Sequence, residues 1–452
     1  MLNMIRKRIE FFFILFAIFV LFTSFYLRIK VINETVINRP IRADAKGYYF
    51  YAMNVKQYGV YSRQEFSSKK PIPDALCSPG FPMSILPFVT FPPSIKMVWD
   101  IQRMQVLLGC ATVILAYLIA QPCIGRWMAL LAAFLTGISP HLVSCTTYIL
   151  TETLFTFLMV LFLWIFMQGI QHHKNWLLCL AGITLGLASL TRPTLQYFIF
   201  ALIPLAFVNK RRSVPLKHFF IVFLFFVSTM APWFVRNYQV TGQLSDSRLM
   251  VSTLHHGIYP DFTYNNDPKT KGFPYRFDPD INNIAKDMDS VINEIKRRFA
   301  NEPYRHAYWY LIKKPLTLLS WDILAGMGDV FVYPVIKSPY LAPGWIRGTH
   351  RVMKALHGVI LTLSLLATVV AWVPHAPLAR GKTEAFVCRL LSLIMLYFIA
   401  LHVVGAPFPR YGVPLRPIMY IQALMIAQMI GIFWLQKGKK HKGQGDEQIA
   451  DS

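Results

Sequence analysis

Acidic residues are scarce in this chain. Asp and Glu number 22 against 46 Lys and Arg, a formal charge of +24 over 452 residues. Charge of either sign is thin too: charged side chains make up 15 % and hydrophobic ones 55 %. That balance excludes an ordinary soluble enzyme, whose surface needs more charge, and the mean hydropathy is positive. The six cysteines, Cys77, Cys110, Cys123, Cys145, Cys179 and Cys388, have no metal-ligand spacing. No Cys-x-x-Cys, Walker loop or Ser-His-Asp order is present, which removes zinc modules, P-loop nucleotide enzymes and serine hydrolases. An internal repeat of the transporter kind is missing as well. The excess of Lys and Arg sits between apolar runs, so it reads as anchoring to anionic membrane lipids and not as a nucleic-acid face.

What is abundant is long apolar runs. Crossing the hydrocarbon core takes about 20 apolar residues. Such windows fall at 10–29, 98–121, 126–144, 149–170, 175–191, 194–209, 218–236, 355–374, 386–404 and 416–435. The expectation is therefore an all-α polytopic membrane protein with about ten transmembrane helices. The run Phe11 to Leu27 carries no charge and no small-x-small site follows it, so the first helix reads as an uncleaved anchor, not a signal peptide. Broken stretches at 80–93 and 316–336 read as interfacial or re-entrant.

Arg6-Lys7-Arg8, His172-His173-Lys174, Lys210-Arg211-Arg212, Arg380 with Lys382, and the tail from Lys437 all fall on one side when spans are counted. Basic short loops face the cytoplasm, so both termini are expected inside. Two long segments, 30–97 and 237–354, then lie outside. The domain reading is a core 1–238 including the first external loop 30–97, an external segment 239–354, C-terminal helices 355–436 and a basic tail 437–452. A stretch from Asp287 to Tyr310 is amphipathic and expected to be helical.

Candidate chemistry collects at the outer ends. Asp44, Tyr48 and Ala52 share one helical face, and Asp44 is either a helix cap or a functional carboxylate. Glu152, at the outer end of a span, is costly unless paired or wet; it either serves the site or snorkels to water. Arg192, Arg236 and Arg410 end spans at one depth, and they read as headgroup anchors or as forked donors for a phosphate. Asp278-Pro279-Asp280, His255-His256 and His402 are weighed as ordinary structural residues, and a Cys77–Cys145 disulfide is not favoured.

In order, the chain shows Asp44-x-x-x-Tyr48-x-x-x-Ala52, Pro79-Gly80-Phe81-Pro82, Leu150-Thr151-Glu152-Thr153-Leu154-Phe155, Arg192-Pro193, Pro232-Trp233-x-x-Arg236-Asn237 and Pro409-Arg410-Tyr411. This ordered set resembles the GT-C membrane glycosyltransferases, in particular the bacterial relatives of protein mannosyltransferases and aminoarabinose transferases. It covers residues 1–240 and one motif near 400–420. The resemblance implies a GT-C-type fold in a bacterial inner (plasma) membrane. It also implies transfer of a sugar from a polyprenyl-phosphate donor to a lipid, glycan or protein acceptor at the outer face. On it, Asp44 is the catalytic carboxylate, while Tyr48, Glu152, Arg192, Arg236, Asn237, Arg410 and Tyr411 are substrate-site residues. No cofactor is implied, and no metal ligand is assigned. Many relatives carry Asp-Glu where this chain has Asp44-Ala45, which leaves dependence on a divalent metal open. A competing reading is a transporter or flippase of lipid-linked saccharides, but such proteins place ionisable residues at mid-membrane.

Overall fold

The computed structural model describes residues 2–66, 69–207, 215–324, 326–373 and 381–450. The basic stretch Lys210-Arg211-Arg212 and Arg380 lie outside them. Apart from one two-stranded ribbon, the described elements are helical. This follows from the sequence: apolar runs in lipid must satisfy their backbone internally, and helices do so.

Among the described residues, seven helices are long and apolar enough to cross a membrane: Met4–Glu34, Ile95–Ile138, Glu152–Gln171, Leu216–Thr241, Trp345–Val370, Thr383–Val404 and Pro409–Trp434. The windows 98–121 and 126–144 fall on two helices that meet at a kink inside Ile95–Ile138, where Gly125, just after Pro122, leaves helical geometry at φ 73°. The window 194–209 holds the apolar helical stretch Pro193–Phe207, shorter than the seven. Pro193 and Pro204 break it into the short turns Pro193–Leu195, Phe198–Ala201 and Pro204–Phe207. Asn175–Thr191 is a shorter apolar helix.

The first helix packs along Ile95–Ile138, which also carries Glu152–Gln171 and the C-terminal helix Arg416–Ala450. Asn175–Thr191 lies between Glu152–Gln171 and Leu216–Thr241. Large apolar side chains such as Phe11, Phe12, Phe22 and Phe220 stay exposed on the outside of this bundle, as lipid-facing positions require.

Both inter-span segments fold onto the same end of the bundle. In the first, helix Ala43–Tyr58 rests on a second core made of Tyr49, Ala52, Phe81, Ile85, Ile101 and Tyr148. In the other, Asp287 caps helix Met288–Asn301 by accepting from the Ser290 amide at 2.8 Å. The amphipathic stretch 287–310 is helical but broken at Glu302-Pro303. A short antiparallel ribbon joins the two segments, pairing Val36 with Lys337 and Ile37 with Val335. That ribbon sets Tyr333 beside the start of helix Ala43–Tyr58, where its hydroxyl accepts from the Ala45 amide at 3.3 Å.

Candidate functional site

Asp44 stands in the first turn of helix Ala43–Tyr58. The chain enters through Ala43 in the left-handed region, φ 45°, a conformation costly for a residue with a Cβ. Arg42 holds the cap position without a side-chain bond. Asp44 is therefore not the helix cap. Its Oδ2 instead accepts from Arg410 Nη1 at 2.9 Å, and the carboxylate stays 48 % exposed. One turn on, Tyr48 meets the edge of Phe81 at 5.2 Å between centroids.

Glu152 is placed by an irregular stretch. Thr146 to Thr151 is buried and non-helical, so its carbonyls need partners. Gln102 and Gln105 supply them. Gln102 Nε2 donates to Thr147 O at 2.8 Å, and Gln105 Nε2 to Tyr148 O at 2.8 Å. The helix restarts at Glu152, putting the carboxylate at a helix N-terminus, where the exposed amide dipoles favour negative charge. The side chain is 1 % exposed, and its Oε1 accepts from Arg410 Nε at 2.5 Å and Arg192 Nη1 at 3.4 Å.

Arg192 follows the last turn of Asn175–Thr191, which ends there because Pro193 disfavours a helical residue before it. Its guanidinium lies over the rings of Tyr411 at 4.8 Å and Phe155 at 5.5 Å. Arg410 sits on the short turn Pro409–Gly412, pressed against the 239–354 segment. A Cβ at Gly412 would meet Leu318 O at 2.2 Å, so only glycine allows this approach. Lys314 ties down the preceding loop, its Nζ donating to Val403 O and Gly405 O at 2.8 Å each.

Arg410 thus bridges a half-exposed carboxylate and a buried one. Burial pushes the Asp44 carboxyl up, but Arg410, with smaller contributions from Arg63 and Arg192, outweighs it and holds the group below its ordinary value. Asp44 is therefore ionised at neutral pH, and among the described residues its Oδ1 accepts no hydrogen bond. Arg63, which the motif reading did not single out, is exposed, and its guanidinium lies over Gly47. Among the described residues its side chain makes no hydrogen bond or ion pair. Tyr333 was missed as well. Neither Arg63 nor Tyr333 falls in an ordered motif, so only the fold brings them in.

The structure therefore gathers Asp44, Tyr48, Glu152, Arg192, Arg410 and Tyr411, all expected from the sequence. Arg236 and Asn237 are engaged elsewhere. Arg236 donates to Asp74 O at 2.6 Å and Tyr61 O at 3.1 Å, and Asn237 Nδ2 to Leu244 O at 3.2 Å. Asp74 in turn accepts from the Arg63 amide at 2.8 Å and the Tyr51 hydroxyl at 2.5 Å. Arg236 therefore holds the loop that presents Arg63.

The residues weighed as structural have internal partners. Asp278 accepts from Tyr259 at 2.7 Å, His255 meets the same hydroxyl at 2.9 Å, and His256 stacks on Tyr275 at 3.9 Å. His402 Nδ1 lies 2.8 Å from Phe398 O. Cys77 and Cys145 are free thiols. Among the described residues no three His, Cys, Asp or Glu side chains cluster as metal ligands, and Arg410 occupies the space between the two carboxylates.

Comparison with known proteins bears on this geometry. Residues 95–235 match the family model described as dolichyl-phosphate-mannose-protein mannosyltransferase. No curated protein sequence matches. Among solved structures, the chain is similar to the archaeal oligosaccharyltransferase AglB from Archaeoglobus fulgidus in complex with an inhibitory peptide and a dolichol-phosphate. There the TM-score is 0.53 and the identity 12 %, over 96 % of this chain and 52 % of that one. The apo form of the Archaeoglobus fulgidus enzyme gives a TM-score of 0.52 at 11 % identity, with the same coverage. ArnT from Cupriavidus metallidurans bound to undecaprenyl phosphate gives 0.38 at 14 % identity, over 93 % and 77 %. The chain spans about half the length of the oligosaccharyltransferase.

Proposed function

We propose that this chain, a membrane protein with the GT-C fold, transfers a sugar from a polyprenyl-phosphate donor to a lipid, glycan or protein acceptor. One observation carries the reading. An ionised carboxylate, held by Arg410 through one oxygen, stands in the field of the Arg63 guanidinium, which has no partner among the described residues. Asp44 Oδ1 is suited to take a proton from an acceptor hydroxyl or amine, and Arg63 to meet the phosphate. The match to a mannosyltransferase family model and the likeness to a protein solved with dolichol-phosphate support the same substrate class.

The chemistry follows from the charges. The acceptor heteroatom attacks the anomeric carbon and passes its proton to Asp44, while the bond from that carbon to the phosphate oxygen breaks. Negative charge grows on the departing phosphate, and a fixed cation there lowers the barrier. Phosphate is a good leaving group, so no acid is needed. Direct attack inverts the anomeric centre. Arg410 and Glu152 act behind Asp44, holding one oxygen so that the other is correctly aimed. Arg192 keeps Nε and Nη2 clear of protein partners among the described residues and is the second cation available to the donor.

With the basic short loops inside, the site faces the periplasm of a bacterial inner membrane. The test compares cells carrying the wild type, Asp44→Asn and a deletion, with surface glycans and lipids profiled by mass spectrometry. Loss of the same glycoform in both, at unchanged expression, supports the transferase, and the mass difference names the sugar. A lipid-linked precursor accumulating only in the deletion, with Asp44→Asn like wild type, would replace it with a flippase.

A further inference from the structure

Inside the 239–354 segment, residues 303–318 form one helical run: Pro303–Tyr308, a π turn Trp309–Lys313, then Lys314–Leu318. A helix at a water-facing surface turns its apolar stripe to the core and its polar side to solvent. This run does the reverse. Its inner face buries His306, Trp309, Lys314 and Leu318. Its outer face presents Tyr304, Tyr308, Leu311, Ile312 and Leu316, which are between 47 % and 90 % exposed. Those five recur every three or four residues, so they line one side of the helix. Single exposed apolar residues are ordinary, but a contiguous stripe marks a contact.

The inward polar groups are satisfied where they are. Trp309 Nε1 donates to Gly257 O at 2.9 Å, and Lys314 Nζ, besides its two carbonyls, lies 3.4 Å from the Tyr310 ring centroid. The Lys314 bonds also fix the level of the run. Their acceptors, Val403 O and Gly405 O, lie where the span Thr383–Val404 ends, and helix Lys314–Leu318 packs on that span. Val404 is itself exposed, as lipid-facing positions are. The stripe therefore continues the lipid-facing surface at the outer end of a span, the level where tyrosines collect. Beside it, Lys313 lies over the Tyr308 ring at 5.7 Å and stands 3.7 Å from Asp261. Its stem covers apolar surface while the ammonium stays at the wet edge.

We propose that residues 303–318 lie along the outer leaflet of the bilayer, with the stripe facing acyl chains and Lys313 at the level of the phospholipid phosphates. An apolar stripe edged by a cation is the pattern of a helix lying in the membrane interface. A second protein chain fits less well, since a stable interface takes about 20–30 residues a side and the stripe offers five. The contact reaches the candidate site through two links. Lys314 holds the loop before Pro409, and Leu318 O meets the close approach of Gly412. Bilayer contact thereby sets the depth of Arg410 against the lipid phosphates. That consequence rests on the transferase reading; the membrane contact does not.

The test places a photoreactive benzoylphenylalanine singly at Tyr308, Leu311 or Leu316 of the full chain. Phe220, exposed on the span Leu216–Thr241, serves as the lipid-facing reference. Each chain is illuminated in nanodiscs of phosphatidylethanolamine and phosphatidylglycerol, and adducts are identified by mass spectrometry. Lipid adducts at all three positions, at yields matching Phe220, are expected. Loss of lipid adducts along the stripe while Phe220 keeps its own overturns the proposal. So does a cross-link to a second copy of the chain, which would make the stripe a protein interface. If a substituted chain fails to fold, the unmodified chain is oxidised by hydroxyl radicals in the same nanodiscs. Tyr304 and Tyr308 should then be protected relative to the denatured chain. Oxidation at the denatured rate overturns the proposal, because the protein itself leaves both rings exposed. Neither readout involves turnover, so unchanged glycans in Asp44→Asn would leave the result standing.

Discussion

Glu152 and Asp44 accept from the same arginine, yet the structure gives them different jobs, and paired substitutions separate them. Glu152 is 1 % exposed, and its partners Arg410 and Arg192 are 13 % and 12 % exposed. Glu152→Gln preserves shape and an acceptor oxygen but leaves Arg192 without a counter-charge. Removing one partner of a buried ion pair costs up to 3–5 kcal/mol. The retained acceptor and the surviving Arg410–Asp44 contact recover part of that. We expect a net loss of about 3 kcal/mol, roughly 150-fold in the unfolding constant. Asp44 is half exposed, so Asp44→Asn should cost under about 1 kcal/mol. Its effect belongs in turnover, which should fall by about 10²–10⁴-fold as a general base is lost. The assay is unfolding of each purified variant in mixed micelles, alongside the glycoform it produces in cells. If Asp44→Asn unfolds as readily as Glu152→Gln, the exposed carboxylate is a structural anchor and the base assignment fails. If Glu152→Gln keeps wild-type stability, the buried pair is not the support described here.

Other perturbations follow from the same geometry. Burial raises the Asp44 carboxyl and Arg410 more than offsets it, so the base form persists below the ordinary carboxyl range. Turnover per bound donor should fall only beneath that, and the pair's contribution to stability, present above the unfolded carboxyl's pKa, should vanish as pH drops through the lower folded value. Arg63→Met should move the acid limb upward and raise KM for the polyprenyl-phosphate donor; an unchanged KM would remove Arg63 from the phosphate. Gly412→Ala forces a Cβ to 2.2 Å from Leu318 O, so it should lose about 1–3 kcal/mol and displace Arg410, with activity falling further than stability. In the 239–354 segment, burial works against the charge of Asp329, but its bonds from His350 and Trp321 bring its carboxyl down to about 2. Thermal scans of the wild type should show stability lost between about pH 4 and pH 2, a loss that Asp329→Asn should lack.

Much of the fold was legible because lipid simplifies the physics. Wherever apolar runs lengthen toward spanning size, helix is the available answer, and the windows at 10–29, 218–236 and 386–404 each fall within a single helix. The misreadings occur where local backbone geometry decides. Pro193 and Pro204 break the apolar stretch 194–209 into turns. Hydropathy does not register a dihedral angle.

The candidate site divides along a similar line. Glu152, Arg192 and Arg410 are visible in sequence because a charge at the end of an apolar run is expensive and must be explained, and Asp44 because it shares a helical face with Tyr48 and opens the ordered set of motifs. That argument detects cost and is blind to partners. It treats Arg236 and Arg410 alike, although one clamps backbone carbonyls and the other bridges two carboxylates across 258 and 366 residues of chain. It overlooks Arg63, which lies in a polar loop where a cation costs nothing. It also passes over Arg28 as the ragged end of the first apolar window, although a guanidinium buried there is among the costliest groups in the protein. Which of these arginines is a donor, a clamp or a hidden support is decided by what faces it across the bundle.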